Sequence, residues 1–119
     1  ALDRNLSLKK RPNIKIAGQL SGVEGYVESA SSGLIAGINM ARFLEGKDIL
    51  DLDATTAIGA LANYISYHAE IEQPDTFEPM NVNFGIFNAL ERKVYKKERK
   101  MAYAKRALEN LNKILDEAK

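Results

Sequence analysis

The sequence predicts a mainly helical α+β chain with one short strand and about three helices. Three observations carry that reading. Apolar residues recur at three- and four-residue spacing in three stretches, strict alternation appears once, at residues 13–17, and three glycines fall between that strand and the first helix. The 119 residues include 45% hydrophobic and 28% charged side chains, the proportions of a globular domain rather than a disordered one.

Residues 1–12 are polar, end in Lys9-Lys10-Arg11-Pro12 and read as an approach loop. They have no apolar centre of the signal-peptide kind. In residues 13–17, Asn-Ile-Lys-Ile-Ala, Ile14 and Ile16 share one face of a short strand. Gly18, Gly22 and Gly25 then form a turn whose backbone can approach another group closely. A helix is expected to begin within residues 23–26 and to end at Gly46, with Val27, Ala30, Leu34, Ile38, Ala41 and Leu44 as its apolar stripe. Ser29, Gly33 and Gly37 add a ridge of small residues suited to close packing.

Residues 46–54 are acidic and loop-like. A second helix over residues 55–68 has Thr55 or Thr56 as N-cap and Ile58, Leu61, Ala62 and Ile65 as its buried side. Residues 70–76 read as a polar loop, and residues 77–87 as an ordered, partly extended segment. A third helix is expected from about residue 91 to the end, with Val94, Met101, Ala104, Leu108, Leu111, Leu115 and Ala118 as its stripe.

Charge and composition narrow the function. The net charge is +1, yet residues 91–119 carry ten basic and five acidic side chains, so an acidic body has a basic tail. A polyanion, if bound, meets that tail. With no cysteine, these residues offer no disulfide, thiolate metal site or cysteine nucleophile, in keeping with a reducing compartment. No apolar run approaches the roughly 20 residues of a membrane span. His68, the single histidine, has no second ligand at metal spacing and is read as a surface or capping residue, so no metal site is expected.

A strand, a glycine turn and a helix start can aim unpaired amides at an anion or a carbonyl oxygen. The spacing Gly-x3-Gly-x2-Gly is not that of a dinucleotide fingerprint, so a plain structural turn stands beside a ligand site.

The residues Ala17-Gly18-Gln19-Leu20-Ser21-Gly22-Val23-Glu24-Gly25-Tyr26-Val27-Glu28-Ser29-Ala30 resemble the flavin-contacting motif of the folate- and FAD-dependent tRNA (uracil-5-)-methyltransferases. Thr55-Thr56-Ala57-Ile58-Gly59-Ala60-Leu61, Phe77-Glu78-Pro79-Met80-Asn81-Val82-Asn83-Phe84-Gly85 and the basic last helix are similar to that family in the same order. The resemblance implies the C-terminal portion of a flavoprotein of the two-dinucleotide-fold type. Residues 1–46 would end its FAD-binding domain, 47–90 would hold the second helix and the ordered segment, and 91–119 the basic helix.

It further implies a cytoplasmic enzyme that uses FAD, methylenetetrahydrofolate and NAD(P)H to deliver a one-carbon unit to C5 of the T-loop uridine of tRNA. The missing N-terminal FAD domain becomes a partner, and the chain alone is expected to be inactive and prone to self-association. Activating uracil C5 normally needs a thiolate at C6, so no catalytic residue is expected among these. By the resemblance Gly18, Gln19, Gly22, Val23, Glu24, Gly25 and Tyr26 bind the cofactor, with Gln19 standing where related flavoproteins more often place Asp.

Glu24 and Glu28 are read either as carboxylates favoured by the helix dipole or as acid–base groups. Thr55, Thr56, Asn81 and Asn83 are read either as capping residues or as substrate contacts. Arg92, Lys93, Lys96, Lys97, Arg99, Lys100, Lys105 and Arg106 offer phosphate contacts to tRNA, Lys93, Lys96, Lys97, Arg99 and Lys100 foremost, or else a solvated face. A non-catalytic RNA-binding or helical interaction module is the competing reading.

Overall fold

The computed structural model describes residues 1–71 and 78–119, with residues 67–71 described by backbone alone. Two strands, β1 (Ser7–Leu8) and β2 (Arg11–Lys15), form an antiparallel pair, followed by helices α1 (Tyr26–Leu44), α2 (Ala57–Ile71) and α3 (Lys96–Glu117). The mainly helical α+β class stands.

The polar N-terminal residues are not only a loop. Ser7 pairs with Lys15 and Leu8 with Arg11 across the Lys9-Lys10 turn, with a bulge between the two pairs. The pair is short, edge-like and half solvated, so it tolerates Pro12 and lacks the alternation that marks a buried strand. Just before it Leu6 sits at φ +62 yet is 2% exposed. Asp3 holds that turn, its Oδ1 accepting from the amides of Asn5 and Ser7.

The buried core has two parts. Leu2, Val23, Leu61 and Ile65 form one, against which Ile16, Met80 and Ile86 pack, and Leu6, Ala36 and Ala62 form the other. Helix α2 faces inward with Leu61, Ala62 and Ile65, as its periodicity predicts. Thr56 is its cap: the hydroxyl accepts from the Gly59 amide at 3.1 Å. The helix runs through residues 70 and 71, which the sequence reading assigned to a loop. The rest of that loop, the side chain of His68 and Phe77 lie outside the described residues.

Helix α1 departs from expectation in orientation. Its buried side chains are Ser32, Ala36 and Asn39, whereas Val27, Leu34 and Leu44 are well exposed. Most of the apolar stripe therefore faces away from the core, although Val27 lines a cavity shared with Ala57, Ile58 and Leu61 of α2, and nothing lies within 4 Å of where a side chain on Gly33 or Gly37 would begin. The inward face is held by polar groups whose partners are the backbone. Asn39 donates to the Leu50 carbonyl at 3.0 Å and accepts from the Leu50 amide at 2.7 Å. That pair pins the acidic loop to the helix.

Helix α3 begins at Lys96, later than expected, and none of its residues is buried. Tyr103 lies on Phe84, ring centroids 5.0 Å apart, and Asn110 donates to the Thr55 hydroxyl at 2.8 Å. Arg106 donates to the carbonyls of Asn88 and Ala89. The side of α3 that meets the body is thus Tyr103, Arg106 and Asn110, while Met101 and Leu108 of the expected stripe face solvent.

Candidate functional site

The glycine bend is a rigid structure built from its own backbone. A 3-10 turn, Gly18–Ser21, follows β2, with Gly18 at φ +71 and Gly22 at φ +102. Its start is fastened to α1, because the Gly18 amide donates to the Ser32 hydroxyl at 2.9 Å. Val23 is 1% exposed and anchors the bend in the core, a burial worth roughly 1.5–3 kcal/mol for a side chain of this kind. On either side of it the Glu24 amide donates to Met80 and the Met80 amide donates to Gly22, at 3.0 and 3.1 Å. The segment around Met80 therefore lies beside the bend as a parallel bridge.

Gly25, at φ +96, caps α1, and the first turn of that helix is partly served from within the chain. The Asn81 side-chain amide donates to the Glu24 carbonyl at 3.1 Å and to the Glu28 carboxylate at 3.3 Å. Glu28 is held below its ordinary pKa, first by a hydrogen bond from its own backbone amide, then by Asn81, with the Val82 amide adding to both against a desolvation effect. The dipole-favoured reading of Glu28 fits these contacts.

Among the described residues, the amides of Gly25, Tyr26 and Val27 meet no acceptor. Gly25 and Tyr26 border a recess of about 440 Å³ shared with Gln19, Val23, Glu24, Ser29 and Asn81, whereas Val27 lines a separate cavity between α1 and α2. Tyr26 does not close the core: it is 98% exposed, beside Leu20 and Val27, which are also largely exposed. Such a site can donate hydrogen bonds to a carbonyl or a partial anion and cover a flat ring with apolar surface.

The structure brings Asn81 to the bend but not the other polar candidates. Thr55 is buried, its hydroxyl donating to the Asp53 carboxylate while accepting from Asn110. Thr56 caps α2, and Asn83 accepts from the Gly85 amide at 2.8 Å in the 3-10 turn Phe84–Ile86. The sequence reading missed Ser32 as the fastener of Gly18, since a serine on a helix carries no signal of its tertiary partner. No group of three or more metal-ligating side chains occurs among the described residues. No described helix is long and apolar enough to cross a membrane.

The cations Arg92, Lys93, Lys96, Lys97, Arg99 and Lys100 are exposed, and none makes an ion pair among the described residues. Lys105 lies 4.0 Å from Glu109, and Arg106 is committed to the body.

Residues 1–48 match the family model described as glucose inhibited division protein A. The chain is 48% identical over 115 residues to the methylenetetrahydrofolate–tRNA-(uracil-5-)-methyltransferase TrmFO of Natranaerobius thermophilus, a match covering 97% of this chain and 26% of that protein. The enzymes of the same name from Desulforudis audaxviator and Streptococcus agalactiae are each 52% identical, over 118 and 117 residues, or 98% and 97% of this chain and 26% of each relative. The chain thus spans about a quarter of the length of the curated relatives it matches.

Proposed function

We infer that this chain is the C-terminal portion of a TrmFO-type, folate-dependent tRNA (uracil-5-)-methyltransferase and supplies one wall of a flavin site and a phosphate-binding tail to such an enzyme. The activity is transfer of a one-carbon unit from methylenetetrahydrofolate to C5 of a T-loop uridine in tRNA, in the cytoplasm. FAD, when bound, supplies the redox capacity for that transfer, with NAD(P)H as reductant.

The donor set fits a flavin. Two amides with no acceptor among the described residues, those of Gly25 and Tyr26, open on a concave recess at the first turn of α1, and this observation carries the reading. Gly25 and Tyr26 would donate to the electron-rich edge of the ring system and stabilise charge there. Gln19, Gly18 and Gly22 border the same bend, Gln19 offering uncharged hydrogen bonds, and Tyr26 lies free to cover the ring. Thr56 and Asn83 are engaged in capping and Thr55 in hydrogen bonds with Asp53 and Asn110, which leaves Asn81 as the polar side chain of this group in position to meet a substrate. Activation of the uracil by a thiolate belongs to residues outside this chain.

The outward face of α1, with Gly33 and Gly37 at its centre, is the seat for the remaining flavin-binding polypeptide. Residues 1–46 then form the cofactor-facing part, 47–90 the support behind it and 91–119 the tRNA-facing part. In this chain alone Tyr26→Ala should keep thermal stability within about 0.5 kcal/mol, because the side chain is almost wholly exposed here. In the intact protein the same substitution should lose flavin, read as visible absorbance per polypeptide after gel filtration. Unchanged flavin content would remove the bend from the cofactor site.

A non-catalytic RNA-binding module is favoured by one observation, a row of exposed cations that make no ion pair among the described residues. Salt-dependent RNA binding that persists unchanged after substitution within residues 18–25, in a protein that never holds flavin, would support it.

A further inference from the structure

Two tyrosines lie in the basic tail, and the structure separates their roles. Tyr103 is stacked on Phe84, meets Phe87 edge-on and carries the Arg106 guanidinium 5.4 Å from its ring centroid. Tyr95 is 85% exposed, at the N-cap of α3, with no ring contact, hydrogen bond or ion pair of its side chain among the described residues. Arg92 and Lys93 precede it, and Lys96, Lys97, Arg99 and Lys100 follow within the first two turns, all six without acidic partners among the described residues. Residues 95–100 are all exposed, and the ring and hydrogen-bond contacts of α3 with the body begin at Tyr103.

We propose that Tyr95 is a stacking platform for an unpaired RNA base, set in a ring of cations that hold the flanking phosphates. The proposal rests on the tRNA-facing reading of the tail and adds to it a preference for looped over fully paired RNA. A duplex has no free base face to offer, so cations alone would bind it, whereas a loop engages ring and charge together. Stacking is nearly independent of salt, and each neutralised phosphate of a single strand contributes about 0.7 to the slope of log affinity against log salt. The two contributions are therefore separable.

The test is fluorescence anisotropy of the intact protein with a labelled stem-loop RNA and with a blunt RNA duplex of equal base composition, across a salt series. Tyr95→Ala should weaken stem-loop binding about 5- to 100-fold, leave duplex binding unchanged and keep the salt slope. Tyr95→Phe should restore it, since the phenyl face stacks as well. Lys97→Ala should instead weaken both RNAs and lower the slope by about 0.7. Equal loss for stem-loop and duplex with Tyr95→Ala, or no loss for either, overturns the proposal. Flavin content read on the same samples keeps the outcomes apart: a Tyr95→Ala protein that holds flavin and binds loops normally sinks this inference while leaving the cofactor reading intact.

Discussion

Gly25 and Glu28 answer to each other at the start of α1. A side chain on Gly25 would collide with the Glu28 carboxylate and the Asn81 amide, and its φ of +96 with ψ of 146 is nearly confined to glycine. The carboxylate that occupies this space titrates below its ordinary range because donors face it, so the unfolded chain holds that proton more tightly than the folded one. Its contribution to stability is present above the unfolded carboxylate pKa and is lost as pH falls through the folded value. Thermal melts of the parent and of Glu28→Gln, run from about pH 7 down to about pH 3, should show a gap in Tm that narrows with acid. A gap that stays constant would mean that the charge of Glu28 contributes nothing. That Glu28 sits in the first turn was readable from sequence. Its ties to Asn81 and Val82, more than fifty residues away, were not, because an asparagine in an irregular segment carries no period.

At the scale of the element, α1 and α2 differ in how much their sequences disclosed. Helix α2 has a single apolar face, so Leu61, Ala62 and Ile65 could pack only inward. Helix α1 has two usable faces, and the more apolar one is turned outward. Burial here follows Ala36 and the hydrogen bonds of Ser32 and Asn39, which hydropathy counts as polar. The outward glycines make a test with opposite signs. Gly33→Ala should stabilise this chain by about 0.5–1 kcal/mol in denaturant melts, since a helix interior favours alanine and the space is open. In the intact protein the same methyl should lower flavin content or Tm by intruding on the surface packed there. Stabilisation in both settings would mean that nothing approaches that ridge closely. For α3, amphipathicity was legible but the contact face was not: a helix fastened by one arginine, one tyrosine and one asparagine need not use its most apolar side.

The whole molecule is flat and slightly open, 44 × 40 × 25 Å, with a radius of gyration of 14.7 Å against about 13.5 Å for a compact domain of this length. Its exposed apolar surface gathers on α1, and cations without an ion pair among the described residues gather at the start of α3. Alone at high concentration, the chain should self-associate through the α1 face, and sedimentation should report species heavier than monomer that dissociate with Leu34→Ser. A strict monomer throughout would count against an unfilled seat.

The bridge between Val23 and Met80 also has a bearing on assembly in time. Because its two sides are far apart along the polypeptide, the bend gains its second edge only after the intervening chain has closed a long loop, at an entropic cost that local helices do not meet. During synthesis, that corner would therefore stay unlatched until the ribosome has released the segment around Met80, and on the proposed flavin reading any prosthetic-group capture would follow as a late, post-helical event.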